Sequence, residues 1–272
     1  MTEQKITAAT NPDLANKLVE QAMSEEAPVV TEATQLLAPS DGLVALPGGH
    51  VTFTGEVIKT AEVRELTGKD EEAIARLGGG TKAFNTILTR AVVKVGDIKS
   101  DEKLLDNLLA GDRDALLVGI YQATFGNDVT LPGFCPGCKD YKSVSVDLTE
   151  DISYQTLVDP IGDREFDVQG KKNLYTVALP TGITQRELRE NEDRSMAESL
   201  TALLEGTVLK INGRPVYTKS QVQDLGIMDR NIIAEELAKR NPGPLFEDVV
   251  VKCPDCESEV RVPISIGALF RV

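Results

Sequence analysis

Four cysteines carry the sharpest chemistry in the chain, and they form two copies of one device. Cys135-Pro136-Gly137-Cys138 and Cys253-Pro254-Asp255-Cys256 both read Cys-Pro-x-Cys. A β-prone run leads into each pair, at residues 129–131 and 249–251, and an alternating run leads out, at 143–148 and 259–264. That layout describes a hairpin whose tight turn presents two thiolates to one metal. Two such hairpins complete a tetrahedral four-sulfur Zn²⁺ site of the zinc-ribbon kind. A thioredoxin-like redox pair also reads Cys-Pro-x-Cys, but there the pair opens a helix, whereas here period-two alternation follows both. A disulfide framework belongs to secreted chains, and the N-terminal Met1-Thr2-Glu3-Gln4-Lys5 lacks the charged-then-apolar layout of a signal peptide. Unligated cysteines would leave the doubling of the motif to accident.

A long segment separates Cys138 from Cys253, so the cost of closing it has to be weighed. A flexible loop of that length costs on the order of 4 kcal/mol plus a constant. A structural zinc contributes roughly 10–16 kcal/mol in apparent binding, so one metal can share a ligand pair from each hairpin. Two separate two-cysteine sites would each need further ligands, and the single histidine, His50, cannot supply them. The expected site is therefore Cys135, Cys138, Cys253 and Cys256 around one structural Zn²⁺ per chain. Such a site has no open position for water or substrate, which argues for architecture over catalysis.

The elements that must position these cysteines read as a duplication. Val63-Arg64-Glu65-Leu66-Thr67-Gly68 has a counterpart in Val177-Ala178-Leu179-Pro180-Thr181-Gly182. Both are strand-like runs that end at a turn and lead into charged, helix-like sequence, the second with a Thr184-x-x-Glu187 capping box. Gly111-Asp112-Arg113-Asp114-Ala115 matches Met228-Asp229-Arg230-Asn231-Ile232. The Asp-Arg pair reads as structural, each Asp capping an apolar periodic helix. Leu116, Ile120 and Ala123 form the buried stripe of the first, Ile233 and Leu237 that of the second. A preceding helix is capped by Ser100, carries Leu104, Leu105, Leu108 and Leu109 on one face, and stops at Gly111. β-prone runs at 91–95 and 207–211 complete each half. The prediction is an α+β fold of two duplicated strand-helix-hairpin modules joined by a shared, zinc-ribbon-like four-cysteine site: a flexible arm at 1–47, a first module at 48–150 and a second at 151–272.

The arm is poor in bulky apolar residues and cannot offset its ordering entropy. Within it, Leu14, Leu18 and Ala22 recur at helical spacing and offer a stripe that can fold on a partner. The 272 residues carry a net charge of −14, with 41% hydrophobic residues and no Trp. That balance opposes nucleic-acid binding, which relies on Lys and Arg to neutralise phosphates and on aromatics for stacking. No apolar run approaches the roughly 18 residues of a membrane span, so the expected location is the cytoplasm, or a particle assembled there. Gly78-Gly79-Gly80-Thr81-Lys82 lacks the spacing of a phosphate-binding loop and reads as a turn before a helix. The acidic run at 187–193 reads as a solvated helix face rather than a carboxylate site.

The run Glu62-Val63-Arg64-Glu65-Leu66-Thr67-Gly68-Lys69-Asp70-Glu71-Glu72 resembles a segment of tailed-phage tail and baseplate assembly proteins. With residues 109–117 and the two Cys-Pro-x-Cys pairs following in order, the chain from about 50 to 272 is similar to the T-even-type myophage baseplate hub family, which includes hub subunits and tail-assembly chaperones. The resemblance implies a non-enzymatic structural component or assembly factor of a bacteriophage baseplate or hub. Its partners would be other tail proteins, reached through the arm, with no nucleic acid, membrane or small-molecule substrate. Its place would be the host cytoplasm during assembly or the virion tail baseplate. Zinc ligation carries over to the four cysteines alone, and no catalytic residue carries over. The competing reading is a zinc-ribbon nucleic-acid-binding or transcription-related protein, which a steep salt dependence of DNA binding would reveal.

Overall fold

The computed structural model describes residues 41–77, 81–189, 194–246 and 249–270. The Leu14-Leu18-Ala22 stripe, the Gly78-Gly79-Gly80 turn and most of the 187–193 run lie outside the described residues. The first elements are an antiparallel pair, β1 (Asp41–Val51) and β2 (Val57–Arg64), with a register shift between Ala45 and His50. The shift spans Pro47, which has no N–H to donate to a ladder. The arm was expected to reach residue 47, yet residues 41–47 belong to β1. Leu46 is 3% exposed, and Val44 packs so closely on Gly119 that a Cβ there would lie 2.2 Å from its Cγ2. The strand finds a partner backbone in β2 and an apolar wall in Gly119 and its neighbours.

Next come α1 (Gly68–Ala75), opened by a Thr67–Asp70 capping box, and α2 (Thr81–Ala91). β3 (Val92–Val95) and β4 (Ile98–Lys99) turn at Gly96 (φ +56°) and complete a sheet of order β1-β2-β3-β4. Two helices follow, α3 (Glu102–Asn107) and α4 (Ala110–Phe125). Asp101 caps α3 by accepting from Leu104 N–H at 2.7 Å, so the cap falls one residue beyond the expected Ser100. Leu105, Leu108 and Leu109 are buried as expected. Gly111 does not stop a helix; it lies inside α4, where a Cβ would sit 1.3 Å from Pro242 O. Close backbone approach, rather than termination, requires glycine there. α4 is buried on nearly all sides and forms the axis of the larger core.

The first cysteine hairpin, β5 (Asp128–Cys135) with β6 (Asp140–Asp147), follows, and then β7 (Ser153–Gln155). A second series begins with β8 (Glu165–Gln169), β9 (Leu174–Ala178), α5 (Gly182–Arg189) and α6 (Met196–Thr207). It continues with β10 (Val208–Ile211), β11 (Arg214–Pro215), α7 (Lys219–Gln223) and α8 (Ile227–Arg240). Its sheet order is β8-β9-β10-β11. Thr184 lies within α5 and is buried, so the expected capping box does not form. β12 (Gly243–Leu245) pairs with β7, and the chain closes with β13 (Val250–Lys252), β14 (Glu259–Arg261) and α9 (Ile266–Phe270). The fold is thus mixed α+β.

Two cores result. The smaller holds Val168, Tyr175, Val177, Leu204, Ile233 and Leu237. The larger collects the first sheet, α4 and both cysteine hairpins: Val144 and Val146 from one, Val260 and Val262 from the other. The apolar residues of the second hairpin thus belong to the larger core. The hairpin's apolar face is covered by the first hairpin and the larger core.

The Asp-Arg pairs are structural but are not caps. The N-cap positions are Leu109 and Gly226, and Asp112 and Asp229 sit in the third position of their helices. Buried there, Asp112 accepts from Gly48 N–H at 2.7 Å, and Asp229 accepts from Lys171 N–H at 2.7 Å and Tyr175 O–H at 2.6 Å. Arg113 Nη2 donates to Asn85 on α2, and Arg230 Nη2 donates to Thr201 on α6. Each pair ties the long helix of its half to the preceding strand pair and helix. A buried carboxylate or guanidinium calls for polar partners, and these tertiary contacts provide them for all but Asp112 Oδ2 among the described atoms of the two pairs.

Candidate metal centre

Each cysteine pair is held by a turn that its hairpin dictates. β5 ends on Cys135 and β6 begins opposite it at Asp140. The chain reverses through Pro136 and Gly137, and Cys138 N–H donates to Cys135 Sγ at 3.3 Å. In the second hairpin Glu257 N–H donates to Cys253 O, and Cys253 N–H donates to Ser258 O, both at 2.9 Å. The residue after each second cysteine takes the same left-handed backbone, Lys139 at φ +56° and Glu257 at φ +58°. That conformation strains a residue with a Cβ, and its recurrence marks two turns built to one plan.

The hairpins meet with the turns side by side. Sγ–Sγ separations are 3.4 Å for Cys135–Cys256, 3.8 Å for Cys138–Cys253 and 3.4 Å for Cys138–Cys256. All four sulfurs lie within 4.8 Å of one another. A tetrahedron with metal–sulfur bonds of ~2.3 Å has edges of about 3.8 Å. The cluster has that size, and the four cysteines can hold a metal ion. Cys135 and Cys253 are buried, Cys138 is half-buried and Cys256 is exposed. The centre thus sits at the rim of the larger core with one corner toward solvent.

Two glycines allow this approach. A Cβ on Gly133 would lie 2.5 Å from Val260 Cγ1, and one on Gly137 would lie 2.4 Å from Ser258 Oγ and 2.9 Å from Cys256 Sγ. Lys142 on β6 crosses to Asp255 between the second pair of cysteines at 2.9 Å and holds Asp140 at 3.5 Å. Asp255 beside it holds the ammonium pKa above its ordinary value. Lys142 also supplies positive charge beside the four-cysteine cluster. Among the thiols themselves, hydrogen bonding with Ser258 pulls Cys256 down to about 6, and the Cys256 contact pushes Cys138 up to about 12, with burial adding to the rise. Four adjacent sulfurs cannot all ionise unless a cation takes the place of the protons, so metal uptake releases protons and strengthens as pH rises.

The structure brings together all four cysteines singled out by their spacing. Gly133, Gly137, Lys142 and Ser258 were not legible as part of the site. Small residues beside a cysteine pair were the available signal, but which hairpin they would face was not. His50, the single histidine, lies in β1, where burial and then the Arg164 charge hold its pKa down. No helix among the described residues is long and apolar enough to cross a membrane. No protein-family model, curated protein or solved structure matches the chain.

Proposed function

We propose that this chain is a non-enzymatic structural component or assembly factor of a bacteriophage tail baseplate or hub, locked by one structural Zn²⁺ on Cys135, Cys138, Cys253 and Cys256. The observation that carries the reading is the four-sulfur cluster at the junction of two hairpins far apart in sequence. Its donors are all protein thiols, a soft set that suits zinc, and four of them fill the tetrahedron with no position left for water or substrate. A metal held in this way contributes to folding rather than to turnover. The resemblance to baseplate hub proteins supplies the assembly context, and the acidic surface suits contact with basic neighbouring proteins.

The same reading takes the two halves as copies of one module. Supporting it are the matching strand orders β1-β2-β3-β4 and β8-β9-β10-β11. The Asp112–Arg113 and Asp229–Arg230 pairs, which grip corresponding elements, add to it, as do the two left-handed turns after the cysteine pairs.

Elemental analysis of purified protein tests the metal. About one zinc per chain is expected from a closed four-cysteine site, and Cys135→Ser is expected to lose it and to destabilise the fold. Full zinc occupancy in that variant overturns the shared site. Fractionation of tail intermediates tests the context: the protein co-sediments with baseplates or their precursors, and its absence from all of them overturns the assembly role.

A further inference from the structure

The two halves meet along a seam that uses different surfaces on its two sides. On one side the α3–α4 junction of the first half presents residues 108–110, and on the other the β9–α5 junction presents residues 180–182. Ala110 N–H donates to Pro180 O at 2.8 Å and Gly182 N–H donates to Leu108 O at 2.9 Å, a short antiparallel bridge centred on Leu109 and Thr181. Arg113 Nε donates to Gln185 at 2.9 Å, Arg186 pairs with Asp106, and Arg186 approaches Glu102 at 3.9 Å. The seam is tight: a Cβ on Gly182 would lie 2.6 Å from Arg113 Nη1 and 2.8 Å from Leu105 O.

If the halves are copies, as proposed above, a seam of this head-to-tail kind leaves the second surface of each half without its counterpart. The counterpart of 180–182 in the first half is Leu66-Thr67-Gly68, and the counterpart of 108–110 in the second is Leu225-Gly226-Ile227. Both are uncovered. A Cβ on Gly68 or Gly226 would meet nothing within 4 Å. Ile227 is 78% exposed and Met228 63%, where the equivalent Ala110 is 5%. The N–H groups of Gly68 and Ile227, equivalent to the two donors of the seam, reach no acceptor among the described residues.

Charge decides which occupant fits. Gln185 and Arg186 of the seam correspond to Glu71 and Glu72, and their partners Arg113, Glu102 and Asp106 correspond to Arg230, Lys219 and the uncharged Gln223. In the open surfaces the pairs become Arg230 opposite Glu71 and Lys219 opposite Glu72. The Arg186–Glu102 pair is preserved with its signs exchanged. Glu71, Glu72 and Lys219 are exposed; Glu72 pairs with Arg76 at 3.5 Å and Lys219 with Glu205 at 3.7 Å.

We infer that a second copy of this chain docks here, residues 225–227 of one copy bridging residues 66–68 of the next, so that the internal seam repeats between chains. A heterologous contact of this kind builds a ring or an open string, according to whether its rotation closes. Apolar Ile227 and Met228 supply the buried centre, and the Lys219–Glu72 and Arg230–Glu71 pairs supply the rim and the register.

Charge exchange on the full-length protein tests this. Lys219→Glu and Glu72→Lys alter exposed side chains, so both variants keep the wild-type far-UV circular dichroism and zinc content. Wild type shows a molar mass that rises with concentration in sedimentation velocity. Each variant alone places like charges across the contact and weakens association by at least about tenfold. An equimolar mixture restores it, because each copy then meets its opposite. Ile227→Asp abolishes self-association, and added wild type binds it only through the variant's intact 66–68 surface, so the variant terminates wild-type assemblies instead of extending them. A wild type that stays monomeric at all concentrations, or an association insensitive to these changes, overturns the proposal. The duplication is judged apart, by superposing the two halves in an experimental structure: superposable halves in a strict monomer refute the interface and spare the duplication.

Discussion

Replacing Gly137 by alanine perturbs the centre without touching a ligand. The added methyl carbon falls 2.4 Å from Ser258 Oγ, 2.9 Å from Cys256 Sγ and 3.2 Å from Ser258 Cβ. Real carbon contacts at those distances are strongly repulsive, so either Ser258 rotates or the two turns part. Rotation of Ser258 relieves only its oxygen; the sulfur and Cβ contacts still push the hairpins apart. Overpacking of this size costs ~1–3 kcal/mol. If that cost falls on the closed, metal-bound arrangement, metal binding weakens by roughly 5- to 150-fold at about 1.4 kcal/mol per tenfold. Competition with a chromogenic chelator reads the affinity directly. Adding Ser258→Gly removes two of the three clashing atoms and recovers most of the loss, which a damaged first hairpin would not allow. Wild-type affinity in Gly137→Ala would refute the claim that the two turns are pressed together at the spacing described.

Two further perturbations follow from buried groups. Gly111→Ala forces a methyl into Pro242 O at 1.3 Å, a backbone obstacle that cannot rotate away. It destabilises by more than ~3 kcal/mol, read as a loss of soluble protein or a much lowered denaturant midpoint. Asp112 is driven up from its ordinary 3.8 to about 6, chiefly by burial, against the opposing pull of Gly48 N–H and Arg164, and its Oδ2 has no hydrogen-bond partner among the described residues. A carboxyl whose folded pKa is raised binds more protons when folded. Stability is therefore fullest below the unfolded value and falls as pH rises from about 4 to about 6, by at most ~3 kcal/mol. Asp112→Asn flattens that fall in denaturant titrations over this window, and an unchanged slope refutes the assignment.

The centre was legible because metal chemistry writes itself into local sequence. Two thiols must share one turn, the turn must sit on a hairpin, and a hairpin shows as a β-prone run before each pair and period-two alternation after it. The elements before it were legible for a similar reason: the Leu116–Ile120 and Ile233–Leu237 stripes and the β-prone runs at 91–95 and 207–211 follow from local burial, although Ala91 and Thr207 end helices and the strands begin one residue later. What the tertiary structure decided is everything that depends on which surfaces meet. Asp112 looks like a helix cap until its distance to Gly48 shows a buried anchor, and Gly111 looks like a stop until the Pro242 backbone crosses it. β13 and β14 carry the alternation of a free hairpin, but their apolar face rests on the first core, because the nearest large apolar wall is the matching hairpin there. Close approach is a property of two segments at once, and a single stretch of residues encodes only its own half of the contact.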